Sequence, residues 1–102
     1  MVYYNKLVRD KIPSIIEAQG EKPYVRVLSD EEYTRCLEEK LDEEVGEYHT
    51  DKSLQELADI LEVVYALAED QGFSREELQS AYARKHEARG GFSQKIFLIS
   101  KG

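Results

Sequence analysis

The acidic residues in the stretch 43–62, EEVGEYHTDKSLQELADILE, are spaced for metal chemistry. Two clusters, Glu43-Glu44-x-x-Glu47 and Glu56-x-x-Asp59, flank a polar break, His49-Thr-Asp-Lys-Ser53. Measured from a centre between Asp51 and Lys52, Glu47 and Glu56 are equidistant along the chain, as are Glu44 and Asp59. If both flanks are helical, so short a connection makes them an antiparallel pair, and equal distance from the turn becomes equal height. Within each helix, acids at i and i+3 share a face, roughly 4.5 Å apart in rise. Carboxylates converging from facing helices are how bundle proteins build a divalent-metal site. Like charges so close repel unless a cation sits among them.

Two plainer readings compete. Ser53-Leu-Gln-Glu56 fits a capping box, in which Glu56 only satisfies the helix start. Glu43 and Glu47, four apart, fit a solvated surface pair. Helical angles of about 100° per residue argue for the site. Leu37, Leu41, Val45 and Tyr48 form one apolar stripe, with Glu44 on its margin. On the second helix Leu54, Leu57, Leu61, Val64 and Ala68 supply a core face, and Ile60, Val63 and Leu67 a second one, with Glu56 and Asp59 among them. A helix apolar nearly all round is a buried helix, and buried carboxylates need partners. Gly46, between Glu44 and Glu47, costs about 1 kcal/mol relative to alanine in a helix, which is consistent with close approach of a neighbour there.

The elements that must hold these acids are legible from their ends. Ser29-Asp-Glu-Glu32 is a capping box opening a helix over about 30–49. The next helix runs over about 53–71 and stops at Gly72, and Ser74-Arg-Glu-Glu77 opens another, reaching Arg89. Pro13 suits a first helical turn, so a short helix is expected from about Asp10 to Gln19, closing at Gly20. Residues 24–28 (YVRVL) and 95–99 (KIFLI) read as short strands that pair into a small sheet, packed on the helices or on a partner chain. The expected architecture is therefore mainly α: an antiparallel helical bundle with a two-stranded β element, in a single domain over 1–102. Lys85 and Arg89, four apart on the last helix, can grip a polyphosphate or simply complement the helix C-terminus. Lys6, Arg9 and Lys11 make the opening segment the most basic short stretch of the chain.

Composition narrows the classes. The 102 residues carry 14 basic against 21 acidic side chains, net −7, which argues against a general nucleic-acid or membrane-surface binder. An anionic small ligand remains compatible if metal ions bridge the repulsion. A single cysteine, Cys36, leaves no intrachain disulfide and fits a reducing cytoplasm. No segment has signal-peptide character or membrane-spanning length.

The pattern E-E-x-x-E followed by E-x-x-D resembles the signature of the MazG-type all-α nucleoside triphosphate pyrophosphohydrolase superfamily. The opening YNKLVRDKIP and closing RGGFSQKIFL resemble its small stand-alone, phosphoribosyl-ATP-pyrophosphohydrolase-like branch, so the likeness covers nearly the whole chain. The resemblance implies cleavage between the α and β phosphates of a nucleotide, giving a monophosphate and pyrophosphate, with Mg²⁺ or Mn²⁺ as cofactor. It implies that Glu44, Glu47, Glu56 and Asp59 ligate the metal, and that Glu43 holds a second metal or orients the attacking water, with Glu43 and Glu44 the catalytic pair. Lys85 and Arg89 match basic positions near the phosphates, and Lys6 and Arg9 belong to the branch's opening motif, which places all four among candidate substrate contacts. The resemblance also implies a homodimer or homotetramer with helices packed across chains. A house-cleaning role on non-standard or excess nucleotides is the preferred expectation. The alternatives are phosphoribosyl-ATP hydrolysis in histidine synthesis, a non-catalytic nucleotide-binding or regulatory module on the same scaffold, and a helical interaction protein with an acidic surface.

Overall fold

The computed structural model describes all residues, 1–102, and contains four helices: α1 (Ile12–Ala18), α2 (Asp30–Thr50), α3 (Leu54–Asp70) and α4 (Arg75–Arg89). Their boundaries follow local chemistry. Ser29 and Ser74 each accept a hydrogen bond from the backbone three residues on, while Glu32 and Glu77 reach back to the cap N–H, closing two full capping boxes. Pro13 sits in the first turn of α1. At the end of α3, Gly72 takes a left-handed φ of 92°, and the Phe73 N–H reaches back to the Ala68 carbonyl at 2.9 Å.

Helices α2 and α3 form the principal packed unit, joined by residues 51–53, and α4 leans on the C-terminal half of α3. The register is the antiparallel one expected from the sequence. Far from the turn, Thr34 Oγ1 donates to Asp70 Oδ2 at 2.6 Å, and these two residues are also nearly equidistant from the centre of the connection. Leu37, Val63 and Ala68 are the buried apolar residues, and Glu44 is buried with them.

Two sequence expectations are corrected. Segments 24–28 and 95–99 form no strands, and neither takes part in a ladder. A β-branched run becomes a strand only where a second edge meets its backbone groups, and an isolated pair is marginal in any case. Here Val27 and Phe97 stand 96% and 87% exposed. The second correction concerns α3. The first half of its intended core row is turned outward, with Leu54 76%, Leu57 47% and Leu61 50% exposed, while Val64 is half-buried and Ala68 buried as expected. Val63 is the residue buried against α2, with Ile60 and Leu67 half-buried. The face that carries Glu56 and Asp59 is thus the inward one.

Candidate metal centre

Both acid clusters meet between α2 and α3. Ligand oxygens of Glu43, Glu44 and Glu47 lie within 4.8 Å of one another, and so do those of Glu44, Glu56 and Asp59. Glu44 belongs to both trios. All four expected metal ligands and the catalytic candidate Glu43 are therefore in one place, while each helix supplies its own acids at one-turn spacing.

Burial separates their roles. Glu44 is only 6% exposed, more deeply buried than any other polar residue of the chain. One of its oxygens receives Lys40 Nζ at 3.4 Å; the other, Oε2, is buried without a partner, and so is Glu56 Oε2. A buried carboxylate oxygen left unpaired is costly, and a cation or a proton would relieve that cost for both. Burial pushes the Glu44 carboxyl above its usual range, the neighbouring Glu47 adds to that, and Lys40 opposes it. The capping-box alternative for Glu56 fails on geometry. Ser53 does accept from the Glu56 N–H at 3.3 Å, but the Glu56 carboxylate does not return the bond and stays with the cluster.

Three cations border the acids. Lys40 also approaches Glu43 Oε2 at 3.4 Å, Lys6 Nζ lies 3.8 Å from Glu43 Oε1, and Arg9 Nη2 donates to Asp59 Oδ1 at 2.6 Å. Sequence reasoning had passed over Lys40, although its i,i+3 and i,i+4 spacing to Glu43 and Glu44 is a helix-surface pairing signal. Five carboxylates against three cations leave a formal charge of −2. Lys6 and Arg9 thus stand on the acids themselves. Lys85 and Arg89 are exposed on α4 and make no ion pair. The Gly46 expectation is corrected: a Cβ there would meet nothing within 4 Å, so no neighbour requires the glycine.

The donor set suits a hard cation. Carboxylate oxygens are the ligands Mg²⁺ and Mn²⁺ favour, and oxygens opposite one another across Mg²⁺ stand about 4.2 Å apart. Three oxygens on one such ion include neighbours about 3 Å apart, so side chains now within 4.8 Å of one another must draw closer to share it. A concavity of about 630 Å³ between α3 and α4, lined by Leu67, Phe73, Leu78 and Ala81 among others, shares no residue with the cluster.

No family model and no solved structure matches the chain. A protein of Mycolicibacterium smegmatis described as uncharacterized is 57% identical over 42 residues, which is 41% of this chain and 43% of that protein. The match spans less than half the length of that relative.

Proposed function

We propose that this chain is a Mg²⁺- or Mn²⁺-dependent nucleotide pyrophosphohydrolase, cleaving the α–β phosphoanhydride to leave a nucleoside monophosphate and pyrophosphate. The observation that carries the reading is the pair of buried, partnerless oxygens of Glu44 and Glu56, one from α2 and one from α3, in residues of the same carboxylate trio. They fit a dication better than they fit a charged surface, because solvated acids would not be buried and orphaned.

Glu44, Glu47, Glu56 and Asp59 would hold the ion. When bound, it supplies neutralisation of the phosphate oxygens and of the charge developing on the leaving pyrophosphate. Glu43, less buried than Glu44 and at the edge of the cluster, is the carboxylate assigned to accept the proton of the attacking water. Lys85 and Arg89, two of the several cations without a carboxylate partner, are assigned to the substrate phosphates on the family resemblance. Substrate selection of the house-cleaning kind is part of the same proposal.

Self-association belongs to it too. A compact monomer of this mass exposes about 5,900 Å², whereas this chain exposes 9273 Å². The surplus, about 3,400 Å² on each chain, is more than each partner of most obligate dimers buries. Its apolar part includes the outward row Leu54, Leu57 and Leu61 of α3 and the C-terminal Ile96–Ile99. A second copy is the proposed cover.

The test is pyrophosphate release from a panel of ribo- and deoxynucleoside triphosphates and phosphoribosyl-ATP, with and without Mg²⁺. Metal-dependent release that disappears in Asp59→Asn, with helix content unchanged, is the expected result. Tight metal-dependent nucleotide binding with no release would favour the non-catalytic module instead.

A further inference from the structure

We propose that the N-terminal arm, residues 1–11, and a divalent cation compete for the same carboxylate face. Lys6 and Arg9 hold the face when no ion is there, and the ion expels them. The inference rests on the metal reading above and adds a regulation to it.

The arm's position is the first argument. Lys6 Nζ is 3.8 Å from Glu43 Oε1, and Arg9 Nη2 is 2.6 Å from Asp59 Oδ1. Glu43 belongs to one carboxylate trio and Asp59 to the other, so the two contacts straddle the cluster centred on Glu44. Asn5, in the left-handed region at φ 47°, turns the chain one residue before Lys6. A guanidinium bonded to Asp59 places positive charge where a cation must come to rest, and the two repel.

The arm's attachment is the second. Helix α1 packs on no other helix. The Arg9–Asp59 bond is the one hydrogen bond between residues 1–20 and the α2–α4 body. Both ion pairs are half-exposed, so each is weak and readily exchanged. With these contacts and the half-buried Leu7 as its hold, the arm can leave without disturbing the helices.

Charge is the third. With the arm docked, the acids retain a formal −2. With the arm away, only Lys40 remains against five carboxylates, leaving −4. The arm therefore replaces part of the counter-charge that the orphaned Glu44 and Glu56 oxygens call for. It does not reach those oxygens themselves, which is why a metal retains an advantage over it.

The test titrates Mg²⁺ into the wild-type chain and into the double variant Lys6→Gln/Arg9→Gln, following heat and the Arg9 Nε–H resonance. The double variant is expected to bind Mg²⁺ about tenfold more tightly, two weak ion pairs no longer having to break. In the wild type, the Arg9 resonance is expected to move to the free-arginine position on the same isotherm as the Glu44 and Asp59 amides. Equal or weaker binding by the variant, or an Arg9 resonance unmoved at saturation, would overturn the competition and leave the metal site standing. Absence of Mg²⁺ binding by both proteins would overturn both readings. Asp59→Asn, which also frees Arg9 but removes a ligand, is expected to bind more weakly than the double variant.

Discussion

At the scale of single residues, Glu44 concentrates the tension in the chain. Its carboxylate is buried, one oxygen has no partner, and its neighbours are acidic. Glu44→Gln is accordingly expected to raise the melting temperature of the metal-free chain, by about 1 kcal/mol of stability, and to erase the stabilisation that millimolar Mg²⁺ gives the wild type. Thermal melts of both proteins with and without Mg²⁺ check this. A second residue carries a readable pH dependence. Arg26 grips Glu32 with two hydrogen bonds, at 2.8 and 3.2 Å, and with the Ser29 contacts this lowers the Glu32 carboxyl from 4.5 to about 2. A lowered folded-state value means that the unfolded chain takes up the proton first. The contribution of Glu32 is therefore present above about pH 4.5 and lost as pH falls from there towards 2. An NMR titration of the Glu32 carboxyl should return a midpoint near 2, and Arg26→Gln should move it back towards 4.5.

Among the elements, α2 and α3 differ in how they are held. The start of α2 is closed by a reciprocal capping box, whereas α3 has only the Ser53 half of one, because Glu56 is engaged with the carboxylate cluster. Ser53→Ala is expected to cost about 1 kcal/mol in denaturant unfolding and to loosen the turn that sets the two acid pairs at equal height. On the opposite helix, Gly46 is exposed, helical and without a neighbour. Gly46→Ala is expected to stabilise the chain by about 1 kcal/mol, measured in the same way. If it instead destabilised the protein, Gly46 would have a neighbour in an assembled state.

The whole molecule is long and open for its size. Its radius of gyration is 18.0 Å, against about 13 Å for a compact chain of this length. With extents of 61 × 32 × 23 Å and three buried apolar residues, none of them fully enclosed, one copy holds little core. Sedimentation equilibrium is expected to return a dimer or tetramer, and Leu57→Glu with Leu61→Glu, on the outward row of α3, to shift it towards monomer. A wild-type monomer would count against the proposed cover. No helix is long and apolar enough to cross a membrane.

What was legible in the sequence was short-ranged. Serine caps, Pro13, Gly72 and the one-turn spacing of the acids act over three or four residues, so they mark α1 to α4 to within about two residues and place Glu44 level with Asp59 without any knowledge of the fold. Choices made between distant segments were decided only by the tertiary structure. Either apolar row of α3 could have faced inward; near the acids the row with Val63 did, while Ala68 of the other row is buried further along the helix. The runs at 24–28 and 95–99 have strand composition, but in this chain neither meets an edge. The opening segment reads only as basic until its Lys6 and Arg9 come to rest on Glu43 and Asp59, roughly 40 and 50 residues away. The depth of Glu44 is of the same kind, because periodicity puts it at the margin of a stripe and packing against α3 alone determines that the margin is buried.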